Sequence, residues 1–262
     1  LDFDTVVRRF DLPVSFSQKT VGEIASITGG LKKEIRRRRD FRERPCFTID
    51  PQQARDHDDA VAIERNSGGG YRLWVHIADV SHFVGEGGTL DGEAFERGTS
   101  VYLVNRVIHM LPEDLAADSC SLVPGKDRLA LSVEIELGQD GQVISYELVE
   151  SVIRSVARFS YEQLQGVLDD NMAAAGEAEK WRETLLLMAE LSRKRAKLRI
   201  LRGSLDLDLP EPAVNLDAAG CVLGLGRSPR FESNSIIEEF MLVANECVGR
   251  FCNQRDLPVL YR

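Results

Sequence analysis

Short apolar runs bounded by polar turns dominate the chain from Cys46 onward, and the hydrophobic period changes between two and about 3.6 several times. Residues 46–49, 60–63 and 71–80 read as strands, with Asn66-Ser67-Gly68-Gly69-Gly70 as the loop before the last. Residues 90–98 carry helical spacing that stops at a glycine, and strand-like composition resumes over 99–104. The clearest hairpin joins 128–137 to 142–157 across Gly138-Gln139-Asp140-Gly141. Residues 161–168 predict a helix begun by Ser160, and 177–201 predict a long one with Trp181, Leu185, Met188, Leu191 and Leu198 near a common face. A strand pair at 205–209 and 221–225 follows, then a helix from about 235 to about 254. Before Cys46 there are short helical patterns at 5–10 and 21–27. This mixed order predicts an α+β fold: a largely antiparallel β-sheet core with flanking α-helices. Residues 1–45 read as a basic approach segment and residues 46–262 as the main domain, without internal repeats.

Composition changes this picture little. A 262-residue chain with 43% hydrophobic content builds a sizeable core, in one large domain or two small ones. Its apolar stretches are broken by charges before bilayer-spanning length, and no signal peptide opens it, so a soluble, cytoplasmic protein without a membrane partner is expected. Cys46, Cys120, Cys221, Cys247 and Cys252 are scattered and form no C-x-x-C pair, which predicts buried free thiols. The chain starts at Leu1 and ends at Arg262 after an apolar run, and it reads as a piece of something longer.

Charge is more informative. The net charge of -9 disfavours nucleic acid as a partner, yet it hides segregation: residues 31–44 hold eight basic side chains against three acids, and 193–202 hold six basics and no acid. Each basic run by itself reads as a solvated helix face. Between them, residues 45–100 hold ten acids and four basics. An acidic pocket flanked by basic surface suits a phosphodiester enzyme, with carboxylates for metal and cations for the backbone.

The acids concentrate in one loop. Asp50, Asp56, Asp58 and Asp59 fall within ten residues, between two strand-like runs. Singly each suits a turn. Together they repel one another unless a cation neutralises them, and hard oxygen ligands favour Mg²⁺ or Mn²⁺. An EF-hand is excluded, since the loop's sixth position holds no glycine and its twelfth no glutamate.

Thr48-Ile49-Asp50 and Arg55-Asp56-His57-Asp58-Asp59-Ala60 resemble the signature of the RNB catalytic domain of the ribonuclease II and ribonuclease R family. Further blocks match in order: Val75-His76-Ile77-Ala78-Asp79-Val80-Ser81, Arg97-Gly98-Thr99-Ser100-Val101-Tyr102-Leu103, Met110-Leu111-Pro112, Cys120-Ser121-Leu122, the segment 237–246 and the segment 258–262. The resemblance implies a processive 3′-to-5′ exoribonuclease that hydrolyses single-stranded RNA to nucleoside 5′-monophosphates with two Mg²⁺ ions, Mn²⁺ being able to substitute. It makes Asp50 and Asp59 direct metal ligands, with Asp56 sharing the site and Asp58 catalytic, holding a metal or its activated water. It makes Tyr102 a stacking platform for the terminal nucleotide, which suits any base. Glu238 or Glu239 is placed near the RNA end, although a helix N-terminal charge preference explains both almost as well. His57 receives no role, and His76 reads as a hydrogen-bonded strand histidine. Relatives continue into a segment whose arginine contacts the scissile phosphate, with cold-shock-like and S1 domains on either side; these are expected in the parent protein and lie outside this chain. Two alternatives stay open: a weak or inactive RNB-like fragment that binds RNA or protein, and a two-metal nuclease acting on DNA.

Overall fold

The computed structural model describes residues 3–27, 31–103, 106–205, 212–217, 222–227 and 229–261. In chain order its strands are β1 (Arg39–Asp40), β2 (Phe47–Asp50), β3 (Asp59–Arg65), β4 (Tyr71–Ala78), β5 (Val101–Tyr102), β6 (Val107–Ile108), β7 (Arg128–Leu137), β8 (Val143–Ile153), β9 (Ala157–Ser160), β10 (Pro212–Leu216) and β11 (Val222–Arg227). Seven of them form one sheet in the order β1-β8-β7-β4-β3-β2-β9. Its interior pairings are antiparallel, whereas β1–β8 and β2–β9 at the two edges are parallel.

Both faces of the sheet are covered, which is why β3 and β4 read as nearly continuous apolar runs. Val61, Ile63, Leu73 and Val75 point to one side, against α6 (Tyr161–Leu168), α8 (Arg182–Leu201) and α9 (Glu232–Gln254). Ala60, Ala62, Trp74 and Ala78 point to the other, where Phe41, Phe83, Leu90, Leu115 and Leu122 meet them. That second layer contains α4 (Val80–Phe83), α5 (Thr89–Arg97) and a π-helical turn at Asp114–Ser119. Preceding the sheet are α1 (Phe3–Phe10), α2 (Gln18–Ile27) and α3 (Leu31–Arg37). Among the described residues no helix is long and apolar enough to cross a membrane.

Local signals account for the elements that periodicity located. Gly98 closes α5 with φ 69° and donates to the Ala94 carbonyl, and Ser160 and Gln163 form a reciprocal capping box on α6. The β7–β8 turn closes through Gly138 N–H to Gln142 C=O at 2.9 Å, with Gly141 at φ 81°. Between α6 and α7 (Met172–Ala175), a Cβ on Gly166 would lie 2.5 Å from the Ala175 backbone nitrogen.

Other expectations change. The run 142–157 is two strands rather than one: β8 ends at Ile153, and β9 starts at Ala157 on the far edge of the sheet. A three-residue link spans about 14 Å, while five strand spacings in a flat sheet need about 24 Å. The sheet is therefore strongly coiled, with its edges brought near each other, and past the link Val156 N–H donates to the Cys46 carbonyl at 2.9 Å, just ahead of the β2–β9 pairing. The long helix begins at Arg182, after a 3₁₀ turn at Gly176–Trp181 that lays Trp181 edge-on to Phe47 with ring centroids 4.9 Å apart. Of the strand expected at 99–104, only Val101–Tyr102 pairs, with Val107–Ile108; residue 104 lies outside the described residues. Most of the 205–209 expectation, and residue 221, also lie outside them; the ribbon that is seen pairs β10 with β11. Cys46, Cys120, Cys247 and Cys252 are buried free thiols, as expected, and Cys221 lies outside the described residues.

Most arginines of the two basic runs face carboxylates rather than standing as free cationic surface. Arg193, Arg195, Arg199 and Arg202 on or just beyond α8 pair with Glu232, Glu246, Glu239 and again Glu246 on α9. In the earlier run, Arg37 pairs with Glu150, Arg39 with Glu147, Arg42 with Asp127, and the buried Arg38 with the buried Asp79 at 2.6 Å.

Candidate active site

β2 ends at Asp50, where Pro51 removes the N–H that another ladder bond would need. The chain turns through Ala54 N–H to Pro51 C=O at 3.0 Å and re-enters the sheet at Asp59, the first residue of β3. The connection therefore leaves and returns on neighbouring strands, with Asp50 beside Ser160 of β9 and Asp59 opposite Ile77 of β4. Asp58 is tied to the sheet by its carbonyl, which accepts from Ala78 N–H at 2.8 Å.

All four aspartates line a single open cleft of about 860 Å³, and Tyr102 and Arg106 line it from the β5–β6 side. Tyr102 is 67% exposed, and its hydroxyl donates to Asp56 Oδ2 at 3.3 Å. Although the ring is exposed, partial loss of water around its hydroxyl at the cleft wall, helped by the charge of Asp56, raises the Tyr102 phenol above its ordinary range. Burial, then the charges of Asp50 and Asp58, pushes the Asp59 carboxyl up to about 6. Asp58 still reaches solvent, yet loss of water around its carboxyl in the cleft and repulsion from Asp56 and Asp50 raise it as well. Among the described residues no three His, Cys, Asp or Glu side chains converge into a ready metal cage. The donor set nevertheless fits a hard divalent cation: oxygen atoms only, on one cleft, with two carboxyls that resist ionisation for want of positive charge.

The sequence-selected residues do not all meet here. Asp50, Asp56, Asp58, Asp59 and Tyr102 do. Glu238 and Glu239 lie on α9 and contribute nothing to the lining; Glu239 is buried and accepts from Arg199 Nε at 2.7 Å, while Glu238 faces Arg199 and Arg230. Conversely, the cleft and the structure just behind it contain groups the sequence did not select. Arg55, Arg106 and His109 supply cationic or titratable lining. Tyr161, just past the end of β9, is close enough to Asp50 and Asp59 that burial and their charges push its phenol up to about 12. His57 is turned inward and buried, with Nδ1 2.8 Å from Asp50 Oδ2. Arg55 sits inside the aspartate motif and was legible by position; nothing local marks Arg106 or Tyr161.

Residues 38–262 match the family described as RNB domain. The chain belongs to the RNB-domain family. A ribonuclease R of Aquifex aeolicus is 42% identical over 99% of this chain, which spans 37% of that relative's length. Solved structures agree with this RNB assignment: the apo form of Mycoplasma genitalium RNase R matches with a TM-score of 0.88 and 26% identity, covering 97% of this chain and 39% of that one. The same enzyme in complex with ribose methylated single-stranded RNA matches with a TM-score of 0.86 and 25% identity, over the same shares. In this RNB domain the β2–β3 loop carries all four acids, and the cleft beneath Tyr102 is where they gather.

Proposed function

We propose that this RNB domain is the catalytic part of a metal-dependent exoribonuclease that degrades single-stranded RNA processively from its 3′ end to nucleoside 5′-monophosphates in the cytoplasm. The observation that carries the reading is one cleft lined by Asp50, Asp56, Asp58 and Asp59, with Tyr102 exposed at its side and hydrogen-bonded to Asp56. The four carboxylates would hold Mg²⁺, with Mn²⁺ able to replace it. Two such ions, when bound, supply an activated water and stabilisation of the departing 3′ oxygen. Tyr102 offers a flat, solvent-facing ring on which a terminal base of any identity stacks. Arg55 and Arg106 balance part of the acidic field and draw the phosphate backbone toward the carboxylates. The partial loss of water around Asp58 and Asp59 strengthens the charge interactions made at those carboxyls. The parent protein, by this reading, adds flanking RNA-binding domains and a phosphate-contacting arginine.

The test uses 5′-labelled single-stranded RNA and DNA with Mg²⁺, on the full-length parent protein and its Asp58→Asn variant. The expected outcome is a ladder shortening from the 3′ end on RNA and not DNA, slowed by at least about 100-fold in the variant. Cleavage of DNA at an equal rate, or no cleavage by the parent protein, overturns the proposal.

A further inference from the structure

The block Cys120-Ser121-Leu122 lies far from the aspartates in sequence and donates no side chain to the cleft, yet three hydrogen bonds fasten it to the aspartate loop. Ser121 is fully buried. Its hydroxyl accepts from His57 N–H at 3.0 Å and donates to the Arg55 carbonyl at 3.2 Å. The next residue, Leu122, donates its N–H to the His57 carbonyl at 2.8 Å. Ser121 is itself anchored from outside, because its carbonyl accepts from Arg128 Nε at 2.9 Å. His57 is thus held at both polar groups of its backbone, and its buried side chain turns inward. There it meets Asp50, with Nδ1 2.8 Å from Oδ2. An ionised carboxylate only accepts, so Nδ1 carries a proton and donates to Asp50.

We infer that Ser121 and His57 form a buried positioning relay that fixes the rotamer of Asp50 for divalent-metal binding: Ser121 seats the His57 backbone, and His57 occupies one carboxylate oxygen so that the other is presented to the metal. The inference rests on the reading of the aspartates as metal ligands. His57 and Ser121 are positioning residues, since neither lines the cleft. Partners of this kind around metal ligands are commonly worth about 10–100-fold in metal affinity.

Mn²⁺ binding to this chain, followed by electron paramagnetic resonance, supplies a readout independent of turnover. His57→Phe, which keeps the ring and removes the donor, is expected to weaken Mn²⁺ binding about tenfold or more. His57→Asn returns an N–H donor to the position of Nδ1 and is expected to recover most of the loss. Ser121→Ala removes the seat without enlarging the side chain and is expected to weaken binding in the same direction, with the double variant Ser121→Ala/His57→Phe little worse than His57→Phe alone. Thermal unfolding of each variant separates positioning from bulk stability. Wild-type affinity retained in both His57→Phe and Ser121→Ala overturns the relay while leaving the metal site standing. A wild-type chain that binds no Mn²⁺ overturns the relay and the metal reading together. Equal weakening in His57→Phe and His57→Asn also overturns it, because a shape effect would then suffice.

Discussion

At the scale of single residues, burial decides more than identity. His76 is fully buried in β4, where its Nδ1 lies 2.6 Å from the Ser132 hydroxyl, which in turn meets Ser151 at 2.6 Å. Burial, reinforced by the positive charge of Arg44, drives the His76 pKa down to about 3. The unfolded chain binds a proton there below about pH 6.5 and the folded chain does not, so the His76 contribution to stability falls as pH drops through that value and continues to fall toward about 3. From pH 7 to pH 5 the loss amounts to about 2 kcal/mol. Denaturant unfolding at the two pH values should therefore show a smaller pH difference in His76→Gln, by about that amount; an unchanged difference would mean that His76 is protonated at no cost. The aspartates were legible in the sequence because four of one residue type in one loop is a local signal. His57 was not, since its inward direction is set by a serine 64 positions away and nothing within the loop announces it.

At the scale of elements, α8 and α9 are laced together by charge as much as by apolar contact. Arg195 is nearly buried, donating to Glu246 at 3.0 Å and to the Gly141 carbonyl at 3.2 Å, so it also ties the β7–β8 turn to the helical layer. Glu246→Ala leaves that guanidinium buried without its carboxylate, and should cost about 2 kcal/mol after allowance for the partial exposure of Glu246. Arg193→Ala, at an exposed rung of the same ladder, should cost no more than about 0.5 kcal/mol. Urea unfolding of the two variants compares them directly, and equal costs would remove the distinction drawn between the rungs. The same ladder explains why the run 193–202 misleads when read from sequence: its counter-charges lie on a helix some forty residues later. α5, α6 and the β7–β8 hairpin were readable because their caps and turn are local. β9 was not, because a parallel edge pairing has no local marker and its residues simply continue the composition of β8.

At the scale of the whole molecule, the approach segment and the sheet share a core. Phe41 packs in the same cluster as Trp74 and Phe83, and β1 extends the sheet beside β8. Burial alone would raise the Asp79 carboxyl, but hydrogen bonds from Ser81 and Arg38 hold it below the usual range, and Asp79 caps α4 at the end of β4. A chain cut to residues 46–262 loses Arg38, Phe41 and β1 at once, with about 2 kcal/mol for the phenylalanine and about 3 for the uncompensated Asp79. Its melting temperature should fall by about 10 °C or more relative to a chain cut to 31–262; equal melting temperatures would place the domain boundary at residue 46 after all. The coiling of the sheet has a further consequence, for the order in which the protein is made. β2, which delivers Asp50, reaches its outer neighbour β9 only when Ser160 has been added, about 110 residues later. At a synthesis rate of about 5–20 residues per second, the acidic loop leaves the ribosome roughly 5 to 20 seconds before the strand that completes its support. A nascent chain thus carries its carboxylates exposed and unseated for that interval, and the metal binding proposed for the loop would arrive late, with the closing of the sheet rather than with the loop.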